Sequence, residues 1–130
     1  MAGTFKFELV TPERMALSQD AAQVVVPGVE GDFTVLAGHA PVISALRPGI
    51  IDVTLPDASK TRIFVKGGFA EVDAGHLTVL AERALPVDEM DATVVIGELE
   101  VAEAELAEAS DDASRLAAAF AVDRLRALAR

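Results

Sequence analysis

Short β-rich runs recur about every ten residues through the first 85 residues, and each run ends at glycine, proline or aspartate. Apolar and polar residues alternate in residues 5–9 and again in residues 51–55, as they do in half-buried strands. No long helical pattern interrupts this region. Regular short strands with turn residues between them favour an antiparallel sandwich or barrel over βαβ units. The sequence therefore predicts an all-β domain over residues 1–85.

Two glycine-framed bends lie near the middle of this domain. Glu30, Gly31 and Asp32 form the first, after Pro27-Gly28, and the second is residues 38–41 (GHAP). Glycine permits a positive φ, while proline fixes φ and cannot donate to a ladder. We therefore expect both bends to be rigid and to display two acids and one histidine on neighbouring loops.

These bends allow three interpretations. Rigid polar loops on a sheet scaffold are where binding residues concentrate, which favours a docking surface. A carboxylate and a histidine can also act as a general acid–base pair, which would give a small stand-alone hydrolase using Asp32 and His39. The chain has no HExxH, nucleophile-elbow or P-loop motif to support that chemistry. Plain solvated turns on a β-sandwich adaptor with an unrelated partner are the third interpretation.

The pattern changes after Leu85-Pro86. Apolar residues now recur three to five positions apart as far as Ala109, which indicates a helix. Residues 110–112 (SDD) supply a break and a cap, and an alanine-rich second helix follows. Asp88 is the predicted N-cap of the first helix, with Asp91 three residues later. The sequence thus predicts a C-terminal antiparallel two-helix hairpin over residues 86–130.

Charge separates between the two predicted helices. Residues 84–114 contain ten acids and no base. The second helix carries Arg115, Arg124, Arg126 and Arg130. In an antiparallel hairpin we expect its last arginines to lie beside Asp88, Glu89 and Asp91. Exposed ion pairs are worth only about 0.2–1 kcal/mol each, so such a hairpin is predicted to be able to leave the sandwich.

The overall charge narrows the choice of partners. The net charge is −10, from 21 acids and 11 bases, which argues against binding nucleic acid or an anionic membrane surface directly. The chain contains no cysteine, so no disulfide and no cysteine-ligated metal is expected. No stretch approaches the roughly 18 apolar residues of a membrane span, so membrane contact is expected only through other proteins.

Several motifs carry a resemblance to a known family. They are residues 27–33 (PGVEGDF), 38–50 (GHAPVISALRPGI), 67–72 (GGFAEV) and 76–82 (HLTVLAE). In this order and spacing they resemble the epsilon subunits of bacterial F-type ATP synthases. The resemblance implies a flattened β-sandwich of about ten antiparallel strands followed by a helical hairpin. It also implies a non-catalytic rotor subunit of the central stalk, peripheral on the cytoplasmic face of the bacterial plasma membrane.

The resemblance assigns partners to the two bends. The residues that would face the membrane ring of proton-carrying subunits are Glu30, Gly31 and Asp32. The residues that would face the gamma subunit are His39, Ala40, Pro41, Leu46 and Arg47. Through these contacts the sandwich would couple the ring to the gamma subunit during ATP synthesis.

The helical hairpin has a regulatory role in this family. It often restrains ATP hydrolysis, and in some members it binds ATP through Ile or Leu, Asp, two residues, Arg and Ala. The matching residues here are 87–92 (VDEMDA), so Asp91 stands where the arginine is expected. A carboxylate repels phosphate, so we expect severely weakened ATP binding and no cofactor. The arm residues that could still meet the catalytic alpha and beta subunits are Asp88, Asp91, Arg115, Arg124 and Arg126.

Overall fold

A computed structural model describes residues 3–129 and contains ten strands followed by two helices. The strands are β1 (Phe5–Thr11), β2 (Arg14–Ala21), β3 (Gln23–Gly28), β4 (Gly31–Leu36), β5 (Val42–Leu46), β6 (Gly49–Thr54), β7 (Lys60–Val65), β8 (Gly68–Asp73), β9 (His76–Ala81) and β10 (Ala84–Pro86). The helices are α1 (Ala92–Glu108) and α2 (Asp112–Leu128). The predicted fold class is confirmed. Arg130, predicted to lie on the second helix, is outside the described residues.

The strands form one continuous hydrogen-bonded order, β10-β7-β6-β3-β5-β8-β9-β1-β2, with β4 paired to β3. β3 and β5 meet only at Gly28 and Leu46, so the sheet folds there into two facing halves. All pairs are antiparallel except β1 with β9, which run parallel. The prediction of purely antiparallel strands is wrong at this one place, because the first strand joins the sheet beside a strand distant in sequence.

The sandwich core follows from the alternation of apolar residues. Phe7 on β1 and Leu77 on β9 come from one half, and Val24 on β3 and Ile51 on β6 come from the other; all four are fully buried. With no Trp or Tyr available, β-branched and Leu side chains with a few Phe fill the space between the halves. This gives the bends a rigid support.

Strand β2 is longer than the sequence indicates. Apolar and polar residues do not alternate cleanly over residues 14–21, yet β2 runs from Arg14 to Ala21 and pairs with β1 over nearly its whole length. It lies at one edge of the sheet, where only part of each face is covered. Its apolar residues therefore do not alternate cleanly, and the pattern that reveals the other strands is weak here.

Acidic caps begin both helices. The Asp111 carboxylate accepts a hydrogen bond from the Ser114 N–H at 2.6 Å, as the sequence predicts for α2. For α1 the cap is Asp91, which accepts from the Val94 N–H at 2.9 Å. The prediction of Asp88 as N-cap is wrong, because residues 87–89 form a separate 3₁₀ turn before α1 begins.

The helical hairpin lies against the sandwich. Ala102 of α1 and Val122 and Leu125 of α2 are buried in one cluster with Phe64 of β7. Phe64 points away from the sandwich core, so the helices cover the outer face of β6 and β7. Strand β10 spans the predicted division between sandwich and hairpin at residues 85 and 86, and it pairs with β7. Its Leu85 packs on the edge of this cluster.

Candidate functional site

Residues 29 and 30 join β3 to β4 at one end of the sandwich, and the acidic turn, residues 30–32, continues from this connection into the start of β4. Glu30, Gly31 and Asp32 are all exposed to solvent. Gly31 has φ of +135° with open space around its Cα, a conformation that residues with a Cβ rarely adopt. The conformation of the turn therefore depends on glycine at this position, and the turn presents the Glu30 and Asp32 carboxylates outward. Val29, which the sequence analysis did not select, is an exposed apolar residue beside them.

Arg47 holds this turn from the β5–β6 connection. Its Nη2 donates to Asp32 Oδ1 at 2.5 Å and its Nη1 donates to the Gly28 carbonyl at 2.5 Å. Only 18% of the Arg47 side chain is exposed. A guanidinium fork matches two acceptors of this kind, so Arg47 acts as a clamp on both sides of the turn. Its predicted contact with the gamma subunit would have to be made through the small part that remains exposed.

The second bend, residues 38–41, follows β4 at its other end. The His39 N–H donates to the Leu36 carbonyl at 3.1 Å, and Nδ1 of its ring lies 2.6 Å from the Ala40 carbonyl. Ala40 and Pro41 are exposed. The expectation of neighbouring loops is wrong, because β4 separates the two bends along its length. The ring of Phe33 lies between them, with its centroid 6.5 Å from that of His39.

This arrangement excludes the proposed acid–base pair. Asp32 is bound to Arg47, and His39 faces a backbone carbonyl of its own bend. Within residues 3–129 the two side chains share no hydrogen bond or ion pair. A carboxylate orients and activates a catalytic histidine only through a hydrogen bond between the two side chains. The hydrolase interpretation is therefore not supported by the geometry.

Leu46 does not belong to the candidate surface. Its side chain is 6% exposed and packs in the sandwich core. Strand residues an odd number of positions apart point to opposite faces, so Leu46 faces inward while Ile43, three residues earlier, is exposed. The structure thus corrects the prediction that Leu46 meets a partner.

An exposed apolar row crosses the outer face of the other half of the sandwich. Phe69 of β8 pairs with Leu80 of β9, which in turn pairs with Val10 of β1 and through it Met15 of β2. Phe69 is 56% and Leu80 53% exposed. Contiguous exposed apolar side chains on a sheet face mark a contact surface. The sequence signal was present in 76–82 (HLTVLAE), where Leu80 occupies a position that alternation gives to a polar residue.

The predicted arm residues lie on the hairpin but do not converge on one site. Arg126 binds Glu103 of α1 at 2.9 Å, and Arg115 binds Asp112 at 3.2 Å. Arg124 is exposed and has no ion pair within residues 3–129. In the part of the chain that the structure describes, neither Arg124 nor Arg126 pairs with Asp88, Glu89 or Asp91, so that expectation is wrong for these two arginines. Packing of α2 on the shared apolar cluster sets the register of the hairpin instead.

Two ion pairs that the sequence did not reveal join the arm to the sandwich. Lys66 Nζ lies 2.8 Å from Glu105 Oε1, and Arg83 forms two hydrogen bonds to the Glu98 carboxylate at 2.9 and 3.0 Å. These bonds to Glu98 raise the pKa of Arg83 above its ordinary value. The acidic run on α1 is thus partly balanced by bases of the sandwich. Within the described residues, no three His, Cys, Asp or Glu side chains are placed to hold a metal ion.

Comparison with known proteins identifies the family. The family model described as the ATP synthase Delta/Epsilon chain beta-sandwich domain matches residues 4–87. The chain belongs to the ATP synthase epsilon chain family. It is therefore a non-catalytic central-stalk subunit of a rotary complex. No helix within residues 3–129 is long and apolar enough to span a membrane.

Epsilon chains of similar length match almost the whole protein. The ATP synthase epsilon chain of Parvibaculum lavamentivorans is 48% identical, over 98% of this chain and 97% of its own length. That of Maricaulis maris is 44% identical over 98% of this chain and 96% of its own. These matches extend through the helical hairpin as well as the sandwich.

Solved structures agree on the architecture. A chain in the Euglena gracilis mitochondrial ATP synthase, determined as OSCP, F1 and c-ring, is 28% identical with a TM-score of 0.74, covering 96% of this chain and 79% of that one. A chain in the central stalk and c-ring of the Tetrahymena thermophila enzyme has a TM-score of 0.70 over 99% of this chain and 98% of that one. At 13% identity, this second likeness shows the fold alone.

Proposed function

We propose that this epsilon chain couples a proton-carrying membrane ring to the gamma subunit, with the acidic turn on the ring. The observation that carries the proposal is the clamped geometry of the turn. Its carboxylates are exposed while Arg47 binds residues on both sides of it. A rigid turn transmits force without being deformed, and exposed carboxylates complement polar or basic loops on a partner. Because such a ring lies in the membrane, we propose that this chain is peripheral, on the cytoplasmic face.

Charge reversal of Glu30 tests this contact. The Glu30→Lys variant should assemble but show weaker ATP-driven proton pumping for the same ATP hydrolysis rate, because a cation then faces the ring. Glu30 is preferable to Asp32, since reversing Asp32 would also break the Arg47 clamp. Glu100→Lys is the matched control, because Glu100 is an exposed acid on α1 that belongs to none of the proposed contacts. Pumping by Glu30→Lys equal to that of the control would reject the ring contact.

We assign the gamma subunit to the exposed apolar row together with the bend formed by His39, Ala40 and Pro41. The assignment of the row to a partner is supported by the exposure of Phe69 and Leu80, because contiguous exposed apolar side chains mark interaction sites. The other outer face of the sandwich is already covered by the hairpin. A partner on the row would therefore leave both faces of the sandwich covered in the complex.

Copurification tests this assignment. Phe69→Asp should reduce retention of the gamma subunit, because a carboxylate would be buried without a partner at the interface. Leu116→Asp is the control, since Leu116 is an equally exposed apolar residue, 58%, on α2. Both changes are on the surface and should leave the fold intact. Equal retention of gamma by the two variants would exclude the row as the interface.

The arm is proposed to act without nucleotide. Asp88, Glu89 and Asp91 place three carboxylates at the start of the arm, and Asp91 is used to cap α1. These groups do not fit the phosphates of ATP, which need cationic partners. Titration calorimetry of the isolated chain with Mg-ATP should give no saturable heat. Contact of Arg115, Arg124 and Arg126 with the catalytic alpha and beta subunits is tested by comparing ATP hydrolysis with and without residues 88–130. Faster hydrolysis without these residues supports the contact, and equal rates reject it.

A further inference from the structure

Arg47 joins the acidic turn to the helical arm. Its guanidinium carbon lies 5.5 Å from the centroid of the Phe120 ring on α2. The same guanidinium donates to Gly28 and Asp32 on either side of the turn. One side chain therefore contacts both the acidic turn and α2, although Asp32 and Phe120 are 88 positions apart in the sequence.

The two sets of contacts depend on each other. A guanidinium is planar, so an aromatic ring over its face leaves the N–H groups at its edge free to bind carbonyl and carboxylate acceptors. With Phe120 in place, little of the Arg47 side chain is exposed to water. If α2 leaves the sandwich, that face becomes hydrated and the guanidinium loses one of the contacts that fix its plane. Its bonds to the turn must then compete with water.

We propose that Arg47 couples docking of α2 to the rigidity of the acidic turn. The turn is held most firmly while the arm lies on the sandwich, and it loosens when the arm leaves. The coupling is a property of this chain alone and does not rest on the proposed function. It would nevertheless let a surface at one end of the sandwich respond to the position of the arm.

Two backbone amides report on the clamp. The Val29 N–H donates to the Ala45 carbonyl at 2.9 Å, and the Arg47 N–H donates to the Pro27 carbonyl at 3.0 Å. Both bonds join residues just before the turn to the end of β5 and the β5–β6 connection. Hydrogen exchange of these amides, measured by NMR on the full chain, therefore follows local opening of the turn. The Leu77 amide in the core strand β9 serves as the reference for global opening.

The first experiment removes the aromatic ring of Phe120. In Phe120→Leu, exchange at Val29 should rise about two- to fivefold relative to Leu77, the range that a partly exposed cation–π contact supports. Phe120→Tyr keeps an aromatic face and should restore slow exchange. Leu116→Ala is the control on the same helix, because Leu116 is exposed. Equal Val29 rates in Phe120→Leu and Leu116→Ala would overturn the proposal.

The second experiment works in the opposite direction. Coupling free energies are reciprocal, so weakening the turn must weaken the docking of α2 by the same factor. Asp32→Asn should therefore raise hydrogen exchange of the α2 backbone amides around Val122 about two- to fivefold. Glu30→Gln removes a neighbouring charge that Arg47 does not bind, and it should leave α2 unchanged. Faster exchange of the turn in Asp32→Asn with no change in α2 would refute the coupling.

Discussion

Replacing Leu125 with alanine tests what holds the hairpin on the sandwich. Leu125 is fully buried, in a cluster with Phe64 of β7 and Ala102 of α1. The change removes three carbons from an apolar site, which at about 0.8 kcal/mol each is roughly 2.4 kcal/mol. The cavity left behind adds to this, and Leu→Ala changes at such sites cost about 2–5 kcal/mol. We expect a loss of this size in the free energy of docking.

The competing explanation is that ion pairs hold the arm. The pairs Lys66–Glu105 and Arg83–Glu98 each have one largely exposed partner, so each is worth about 0.2–1 kcal/mol. Glu98→Gln combined with Glu105→Gln should therefore cost no more than about 2 kcal/mol. Apolar burial is expected to exceed both pairs together, and added salt should weaken docking only slightly.

Native-state hydrogen exchange measures both effects. Amides of α1 and α2 in Leu125→Ala should exchange faster by the lost free energy, while those of Phe7 and Leu77 should keep their rates. The double glutamine variant should show a smaller change in the same helices. Two results would contradict this reasoning. One is a larger effect from the glutamine pair, and the other is equal loss of protection in the strands, which would make the arm and sandwich one cooperative unit.

Three further changes test local features. Gly68→Ala should prevent stable folding in a urea titration, because its Cβ would lie 1.9 Å from the Leu80 carbonyl oxygen. Gly31→Ala has open space and should cost only the strain of a positive φ, about 1–3 kcal/mol. Hydrogen bonds from Ser114 lower the pKa of Asp111 below its ordinary 3.8, so its stabilisation of α2 is complete above that value. That stabilisation is lost as the pH falls through the lowered pKa, and helicity measured by circular dichroism should then fall more in the native chain than in Asp111→Asn, whose cap does not titrate.

The strands and the hairpin were predictable because their signals are local. Alternation identified β1 and β6, and the change of period after Leu85 identified the helices. Prediction failed where local signals were ambiguous. Asp88 and Asp91 both precede an apolar run, so only the 3₁₀ turn at residues 87–89 distinguishes them. Edge strand β2 lacks clean alternation because one strand neighbour alone supports it.

The candidate surface was only partly predictable. The acidic turn was recognisable from its glycines and its acids, and its exposure agrees with a docking role. The contacts of Arg47 were not recognisable, because Arg47 is 15 residues from Asp32 and 73 residues from Phe120 in the sequence. Leu46 was misplaced because the sequence gives the alternation of a strand without saying which face is covered. Similarly, the partners of Glu98 and Glu105 are Arg83 and Lys66, which lie in connections between strands that α1 meets only after folding.

By itself, the sequence determined the strands, the turns between them, the helical hairpin and the family. Each of these depends on interactions between residues close in the chain or on motifs of fixed spacing. Tertiary structure alone decided that the hairpin lies on β6 and β7, that the two bends are at opposite ends of β4, and that Arg47 links the turn to α2. These features depend on which surfaces meet when the chain closes, and burial of apolar area selects that arrangement regardless of the distance in sequence.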